Sequence, residues 1–338
     1  MTSLFDHTQV AVIIVNWNSG DYLGRCVKAL LAQSRPMAKI VVVDNASTDD
    51  SLDSIVDLSD AVSIVRQQTN TGFAAANNRG IKECREFSWI ALVNPDAFVD
   101  SNWLENVLKG INENESAGAI ACQMRQANDD SLLDGTGDIY HVSGLAWRRD
   151  HGARRDEKSG VTAQNNKYAR PVFAPCAAAA IYRRDVLDES GGFDEDYFCY
   201  FEDIDLGFRV RLLGYSCVYL PEAVVYHVGS GVTGRDSDFS VYHGHRNLVW
   251  TYVKNMPTGL FWRYLPQHIL LNLVSIVYYT FKGRGRLLSK AKFDAFKQLG
   301  KALKKRKLVQ SKRRASDDEI RQFMLGGLFV PYLSRHAG

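Results

Sequence analysis

Several common signals are missing from this chain, and each absence disfavours a class of protein. The six cysteines include no CxxC pair and several lie in apolar runs, which is typical of reduced, buried thiols and not of disulfides or a zinc site. The first nine residues are polar and contain Asp6, so we expect no secretory signal. The first strand–helix turn lacks G-x-G-x-x-G, which disfavours a dinucleotide oxidoreductase. These absences favour a cytosolic protein without a dinucleotide cofactor.

Charge is distributed unevenly along the 338 residues. The whole chain carries +3, yet residues 282–314 alone hold fourteen Lys or Arg and one acid, Asp294. The rest of the chain is therefore acidic overall. An acidic body with a basic segment suggests a catalytic domain plus an anchor for an anionic surface, either phospholipid or nucleic acid. A solvated basic helix without a partner is the alternative.

The N-terminal half alternates between strand and helix patterns. Five apolar runs predict strands, at 10–15, 40–43, 62–65, 89–93 and 117–122, and the first four are typical of buried parallel strands. Helical spacing lies between them, near 49–58, 73–86 and 101–113. This alternation predicts an open α/β sheet with helices on both faces. Residues 125–170 are polar and are predicted to form an extended loop or flap.

Polar side chains stand at the predicted carboxyl ends of three strands. Asn16, Asp44 and Asp96 each follow an apolar run. Ligands of open α/β sheets bind beyond these strand ends, so we expect the three residues to share one site. Asp and Asn also end strands because they suit turns, but that alternative is weaker for three strands than for one.

Three carboxylates lie close together in the segment 198–206, at Glu202, Asp203 and Asp205. Burying so much negative charge is costly unless a cation or a proton-transfer role compensates for it. The cluster therefore predicts a general base beside a cationic or hydroxyl-bearing substrate. Acids in the first turn of a helix are the alternative, since a helix is predicted from Asp203 to Leu213 with Gly214 as its stop.

Residues 259–281 are the most apolar stretch of the C-terminal region and approach the length of a membrane span. However, a polar stripe recurs there at helical spacing: His268, Asn272, Ser275 and Tyr279. We predict an amphipathic helix that lies in a membrane interface or packs on the body, and the basic segment after it favours the interface. The expected division is a catalytic domain over 1–250 and a membrane-association region over 251–338.

An ordered set of short segments resembles the inverting family-2 glycosyltransferases of the GT-A fold. Within that family the match is to the bacterial rhamnosyltransferase-like branch, which builds cell-surface polysaccharides. The matching segments are 12–18, 43–49, 70–78, 94–96, 191–195, 201–206 and 226–227. The resemblance covers roughly residues 10–250 and implies a GT-A domain with a Rossmann-like mixed sheet.

The resemblance implies a pocket for a nucleotide-diphospho-sugar. Asp44 would accept hydrogen bonds from the pyrimidine ring, since a carboxylate suits an N–H donor. Arg246 would pair with the donor diphosphate, with a surface arginine as the alternative. The implied donor is dTDP-rhamnose, and a UDP-sugar is the alternative. The full implied set is Asn16, Asn18, Asp44, Asn70, Gly72, Asn77, Asp96 and Arg246.

The resemblance also implies a divalent metal, Mg²⁺ or Mn²⁺, and a catalytic base. Asp96, in an Asn94-Pro95-Asp96 form of the family's DxD-like motif, and His227 would hold the metal against the diphosphate. A buried structural histidine is the alternative for His227. Asp203 would take the proton of the acceptor hydroxyl in one inverting displacement. Glu202 or Asp205 could hold that role instead.

The implied acceptor is a lipid-linked or cell-surface glycan at the cytoplasmic face of the cell membrane. The protein would be associated peripherally with that inner face, with the anionic membrane surface as a partner. A nucleic-acid-binding protein that uses residues 282–314 is the non-enzymatic alternative, and the acidic body argues against it. We therefore expect no nucleic-acid partner. An inactive relative that only binds sugar nucleotides is the remaining alternative.

Overall fold

A computed structural model describes residues 10–58, 62–155, 170–229 and 237–330. The strands are β1 Val10–Asn16, β2 Lys39–Asp44, β3 Val62–Arg66, β4 Trp89–Val93, β5 Ala97–Val99, β6 Ala117–Gln126, β7 Asp129–Gly135, β8 Asp138–His141, β9 Ala146–Arg148, β10 Arg170–Pro171, β11 Ala179–Arg183, β12 Ser216–His227 and β13 Met324–Leu325. The helices are α1 Tyr22–Leu31, α2 Phe73–Lys82, α3 Trp103–Glu113, α4 Arg184–Ser190, α5 Glu202–Leu212, α6 Asp238–Asn255, α7 Thr258–Phe281, α8 Gly285–Lys297, α9 Leu299–Ser311 and α10 Asp317–Arg321.

The predicted α/β sheet is confirmed, and it is mixed. In the part of the chain that the structure describes, the strand order is β10-β12-β6-β11-β4-β1-β2-β3, with β5 beside β12 and β7 beside β6. Strands β1 to β4 are parallel to their neighbours among these four, whereas β11 is antiparallel to both β4 and β6. The helix predicted over 49–58 is only a short 3₁₀ turn at Ser51–Ile55.

Two hydrophobic layers enclose the sheet. Val12 and Ile14 of β1 pack in the layer that includes α1 and α3, and Ala11 and Ile13 pack in the layer that includes α2 and α5. A strand buried on both faces needs apolar side chains at every position, which explains the unbroken apolar run.

The sheet topology brings distant polar residues to one edge. Asn16 and Asp44 are register partners at the ends of β1 and β2. The chain leaves β4 through Asp96 into β5, which pairs antiparallel with the end of β12, so that Ala97 lies opposite His227. His227 is thereby placed beside Asp96, although the two are far apart in the sequence.

The segment predicted as an extended loop or flap, 125–170, contains strands. β7 pairs with β6, and β8 pairs with β9 in a second sheet that β13 completes. The alternation of apolar and polar residues in this segment is short and is interrupted by Gly137 and Gly144, which both have positive φ. The segment therefore resembles a loop in the sequence. Residues 156–169 lie outside the described residues.

Helix α7 has the predicted extent and an unexpected orientation. Its polar stripe faces the body: His268 is buried, its Nδ1 lies 2.7 Å from the Ser143 carbonyl oxygen, and its ring stacks on Tyr252. The apolar side chains on the opposite side face solvent. The exposed apolar residues of α7 and α8 that we call the C-terminal apolar face are Trp262, Ile269, Leu273, Val277, Phe281, Phe293 and Phe296.

The boundary predicted between residues 250 and 251 falls within α6, which packs against α5, α8 and α9. None of the helices in the described ranges is long and apolar enough to cross a membrane.

Candidate active site

Asn16 organises the ends of β1 and β2 from a fully buried position. Its Nδ2 donates to Asp44 Oδ1 at 2.9 Å, to Ser47 Oγ at 3.1 Å and to Ser51 Oγ at 2.9 Å. The backbone N–H of Ser47 also donates to Asp44 Oδ2, at 3.3 Å. Because Asn16 is enclosed, it can act on a ligand only by orienting Asp44.

Asn45, which the sequence reasoning did not single out, connects the loops beside Asp44. Its Nδ2 donates to Asn70 Oδ1 at 2.8 Å, and its Oδ1 accepts from the Thr71 backbone N–H at 2.9 Å. Asn70 Oδ1 also accepts from the Gly72 backbone N–H at 2.9 Å. In the sequence, Asn45 could have been found from its position directly after Asp44, in a segment that carries the family resemblance.

Asn18 and Asn77 differ in what they can reach. Asn18 has φ of 48° and accepts the Thr48 backbone N–H at 2.8 Å on the margin of the sheet edge. Asn77 is buried within α2, and its Nδ2 donates to the Phe73 carbonyl oxygen at 2.9 Å. The described contacts of Asn77 therefore serve the helix.

Gly72 packs the loop before α2 against the loop before α5. Its φ is +85°, and a Cβ there would lie 2.5 Å from the Phe198 ring and 2.7 Å from the Phe198 carbonyl oxygen. That loop itself holds three non-glycine residues at positive φ: Phe198, Tyr200 and Phe201. Such backbone is costly and persists only where its surroundings enforce it, as often happens at functional sites.

Asn247 and Arg246 hold this strained loop by its carbonyl oxygens. Asn247 Nδ2 donates to the carbonyl oxygens of Tyr197 at 3.0 Å and Tyr200 at 2.7 Å. Arg246 Nη2 donates to the Tyr197 carbonyl oxygen at 2.9 Å, and its Nε donates to Asn247 Oδ1 at 2.9 Å. The described contacts of Arg246 are thus with the scaffold that shapes the site.

Asp203 is the accessible member of the three carboxylates. It is half-buried, whereas Glu202 and Asp205 are buried. Its Oδ2 accepts the Ala177 backbone N–H at 3.1 Å. Burial raises the pKa of Asp203, against the opposing effects of the backbone donors and of Arg148. Glu202 Oε2 has no hydrogen-bond partner among the described residues, and burial raises the pKa of Glu202 well above its usual range.

Asp205 is enclosed in a network of cations and donors. Its Oδ2 accepts from Arg209 Nε at 2.9 Å, and its Oδ1 lies 2.7 Å from both Lys254 Nζ and Asn255 Nδ2. Burial alone would raise the pKa of Asp205, but the charges of Arg209 and Lys254 lower it. A carboxylate that is fully engaged in this way is a poor base, so its position favours a scaffold role.

A second acid, Asp138, lies near Asp203 together with Cys176. One ligand-type atom of each of the three residues lies within 4.8 Å of the others. Arg148 Nη2 donates to Cys176 Sγ at 3.1 Å, so a guanidinium already supplies positive charge here. This makes the cluster a poor metal site. Burial and the charge of Asp203 raise the pKa of Asp138 well above its usual range.

Asp96 and His227 lie together where β5 meets the end of β12. His227 Nε2 is 3.4 Å from Asp96 Oδ1, and both side chains are largely buried. Burial lowers the pKa of His227, but the bonds to Asp134 and Asp96 outweigh it and raise the pKa. One carboxylate and one imidazole fit a divalent cation that takes its remaining ligands from diphosphate and water.

Asp134 of β7 is a site residue that the sequence reasoning missed. Its Oδ2 lies 2.7 Å from His227 Nδ1 and also accepts from Arg148 Nη1. Burial alone would raise the pKa of Asp134, but the His227 bond and the Arg148 charge lower it to about 2. The sequence indicated Asp134 only weakly as a site residue, because it lies in an Asp-Gly-Thr-Gly-Asp run that resembles a turn.

The mixed α/β sheet, with acids at its strand ends and an acid-bearing helix beside them, has the GT-A fold of solved glycosyltransferases. The sequence pattern of the glycosyltransferase like family 2 matches residues 7–252, and the chain belongs to this family. The predicted family, fold and enzyme class are confirmed.

The chain is similar to a bacterial rhamnosyltransferase and to solved structures. It is 29% identical over 273 residues to the N-acetylglucosaminyl-diphospho-decaprenol L-rhamnosyltransferase of Mycobacterium tuberculosis, covering 75% of this chain and 86% of that protein. S. aureus TarS 1-349 in complex with UDP-GlcNAc has a TM-score of 0.57 at 16% identity, covering 94% of this chain and 89% of that one. The mannosyltransferase PcManGT of Pyrobaculum calidifontis, in complex with GDP-Man and Mn²⁺, has a TM-score of 0.54 at 16% identity, covering 94% and 86%. At these identities the structures show the fold alone.

Proposed function

We propose that this glycosyltransferase moves rhamnose from dTDP-rhamnose to a hydroxyl of a lipid-linked glycan, with inversion at the anomeric carbon. The observation that carries the mechanism is that Asp203 is the accessible carboxylate of α5, while Glu202 and Asp205 are buried. The name of the M. tuberculosis relative supports both the sugar and a polyprenyl-diphosphate-linked acceptor.

Asp44 would bind the nucleotide. Its carboxylate suits the N–H of a pyrimidine base, and Asn16 holds that carboxylate in place at 2.9 Å. Asp96 and His227 would hold Mg²⁺ or Mn²⁺ beside the donor diphosphate. When bound, such an ion neutralises charge that develops on the departing nucleoside diphosphate.

Asp203 would act as the general base. It takes the proton of the acceptor hydroxyl while that oxygen attacks the anomeric carbon, and the bond from this carbon to the diphosphate oxygen breaks on the opposite face. The raised pKa of Asp203 suits this role, because a base is most effective when its pKa lies near the working pH. A single displacement of this kind inverts the anomeric centre.

A UDP-sugar is the alternative donor. Uracil and thymine offer the same ring N–H to Asp44, so this contact does not separate them. The UDP-GlcNAc complex of the similar TarS structure favours keeping this alternative. Discrimination would come from contacts to the thymine methyl group and to the ribose 2′-hydroxyl.

The test of the donor site is calorimetric binding of dTDP, UDP, GDP and NAD, with and without Mn²⁺, to wild type and to Asp96→Ala. We expect one pyrimidine diphosphate to bind in a metal-dependent way and Asp96→Ala to lose that dependence. Metal-independent binding would remove Asp96 and His227 from the metal role. No nucleotide binding at all would contradict the transferase proposal.

We also propose that the C-terminal apolar face lies on an anionic membrane surface. Its side chains are strongly exposed, with Leu273 at 57%, Phe281 at 89% and Phe296 at 72%. Exposed lysines follow on the next helices, including Lys301 and Lys304. Apolar side chains bordered by lysines are typical of a helix that lies in the interface of anionic lipid.

The test of membrane association is flotation with vesicles of phosphatidylglycerol and phosphatidylcholine. Leu273→Asp with Val277→Asp should weaken binding by at least about 100-fold, since each apolar side chain contributes about 1.5–3 kcal/mol when buried. Val56→Asp is the control, because Val56 is equally exposed but distant in the fold, at 62%. Unchanged binding of the double variant would remove the membrane role of this face.

A further inference from the structure

Asp134 belongs to neither the nucleotide pocket nor the base, yet its carboxylate is almost completely buried. It lies on β7, whose pairing with β6 fixes its position beside the end of β12. A buried carboxylate is expensive unless donors surround it, so its partners indicate why it is there.

The partners of Asp134 connect it to the proposed metal ligands, His227 and Asp96. Asp134 Oδ2 lies 2.7 Å from His227 Nδ1, and His227 Nε2 lies 3.4 Å from Asp96 Oδ1. A carboxylate oxygen accepts in such a short contact, so Nδ1 carries a proton. Nε2, on the side of Asp96, is then the ring nitrogen that is left to bind a cation.

Arg148 connects the Asp134–His227 pair to the cluster that includes Asp203. One of its terminal nitrogens donates to Asp134, and the other donates to Cys176 Sγ at 3.1 Å, within the cluster that includes Asp203. Asp138 and Arg148 are register partners in the β8–β9 hairpin, which places Arg148 beside both the cluster and Asp134.

We propose that Asp134 is the positioning residue of the metal site: it fixes the tautomer and ring orientation of His227, and Arg148 holds its carboxylate in place. This inference rests on the proposed metal role of Asp96 and His227. Carboxylate partners of metal-binding histidines act in this way, and their loss weakens metal binding by about 10- to 100-fold.

The first test needs no metal. Nitrogen-15 NMR of the histidine rings at pH 8 should show, among the rings protonated on Nδ1 in wild type, one signal that is absent in His227→Gln. In Asp134→Ala this ring should change to the Nε2-protonated form. An unchanged Nδ1-protonated signal in Asp134→Ala would overturn the inference.

The second test is Mn²⁺ affinity, measured by electron paramagnetic resonance with dTDP or UDP present. Asp134→Ala should bind Mn²⁺ about 10- to 100-fold more weakly than wild type. Asp150→Ala is the matched control, because Asp150 lies in the same region but bonds Thr136 Oγ1, at 2.7 Å. Its affinity should be that of wild type.

The outcomes separate this inference from the proposed function. If Asp96→Ala abolishes Mn²⁺ binding and Asp134→Ala binds like wild type, the positioning role is wrong and the metal site stands. If wild type binds the nucleotide but no Mn²⁺, both the metal site and the inference are wrong. Asp134→Asn keeps the shape of the side chain, and a smaller loss in the same direction is expected if Asp134→Ala fails to fold.

Discussion

Helices α5 and α7 both reverse the usual distribution of side chains. α5 buries acids and arginines, including Glu202, Asp205 and Arg209, whereas α7 exposes apolar residues such as Leu273 and Phe281. Buried charge is tolerated where partners or chemistry compensate for it, and a large exposed apolar face usually marks a surface that binds something. We propose that α5 carries the chemistry and that α7 brings the enzyme to its acceptor.

The basic C-terminal segment supplies a cation to the acidic network beside α5. Lys305 of α9 pairs with Asp194 and with Asp196, in the network that also includes Lys254 and Asp205. Other cations of the segment face solvent. The segment that charge counting predicted as an anchor therefore also neutralises the acidic body beside α5.

The largest effect is expected from Asp203→Asn. Removing a general base lowers turnover by about 10²- to 10⁴-fold, and donor binding should be nearly unchanged, since Asp203 acts on the acceptor. Turnover and calorimetric donor affinity are the measurements. Glu202→Gln is the matched control: Glu202 is buried, so this variant should lose much less turnover. Turnover near that of wild type in Asp203→Asn would exclude Asp203 as the base.

A smaller effect, on stability, is expected from Lys254→Met. Lys254 is buried and lies 2.7 Å from Asp205 Oδ1, so its loss leaves a buried carboxylate undercompensated. We expect the free energy of unfolding to fall by about 3–5 kcal/mol in urea denaturation. The exposed Lys304→Met is the control and should change it by less than about 0.5 kcal/mol. Equal effects in the two variants would mean that the α5 network is not stabilising.

Much of the fold could be predicted from the sequence because its signals are local. The apolar runs of β1, β2 and β4, and the stop of α5 at Gly214, each depend on neighbouring residues. The positions of Asn16, Asp44 and Asp96 at one sheet edge follow from strand direction alone.

The rest depends on contacts between distant segments. The Asp134–His227 pair and the Arg148 bridge require the pairing of β7 with β6 and of β8 with β9, which the short, glycine-interrupted alternation did not reveal. The direction in which α7 faces was also hidden, because a polar stripe can face solvent or the body. Only the contact of His268 with Ser143 and Tyr252 decides it.

The smallest effect concerns that inward stripe and depends on pH. Burial, with a contribution from Lys292, lowers the pKa of His268 to about 4, from 6.5 when exposed. Between these values the unfolded chain binds more protons, so the free energy of unfolding falls as pH drops from 6.5 to 4, by up to about 3 kcal/mol. The variant His268→Asn should lack this pH-dependent contribution to the free energy of unfolding.

The measurement is urea denaturation of wild type and His268→Asn across this pH range. His243 and His245, whose pKa values burial also lowers, to about 4 and about 3, affect both proteins alike. The difference between the two curves therefore isolates His268, and it should narrow as the pH falls from 6.5 to 4. A constant difference would mean that His268 is not held neutral against the body, and the inward orientation of the α7 stripe, on which the outward apolar face depends, would be wrong.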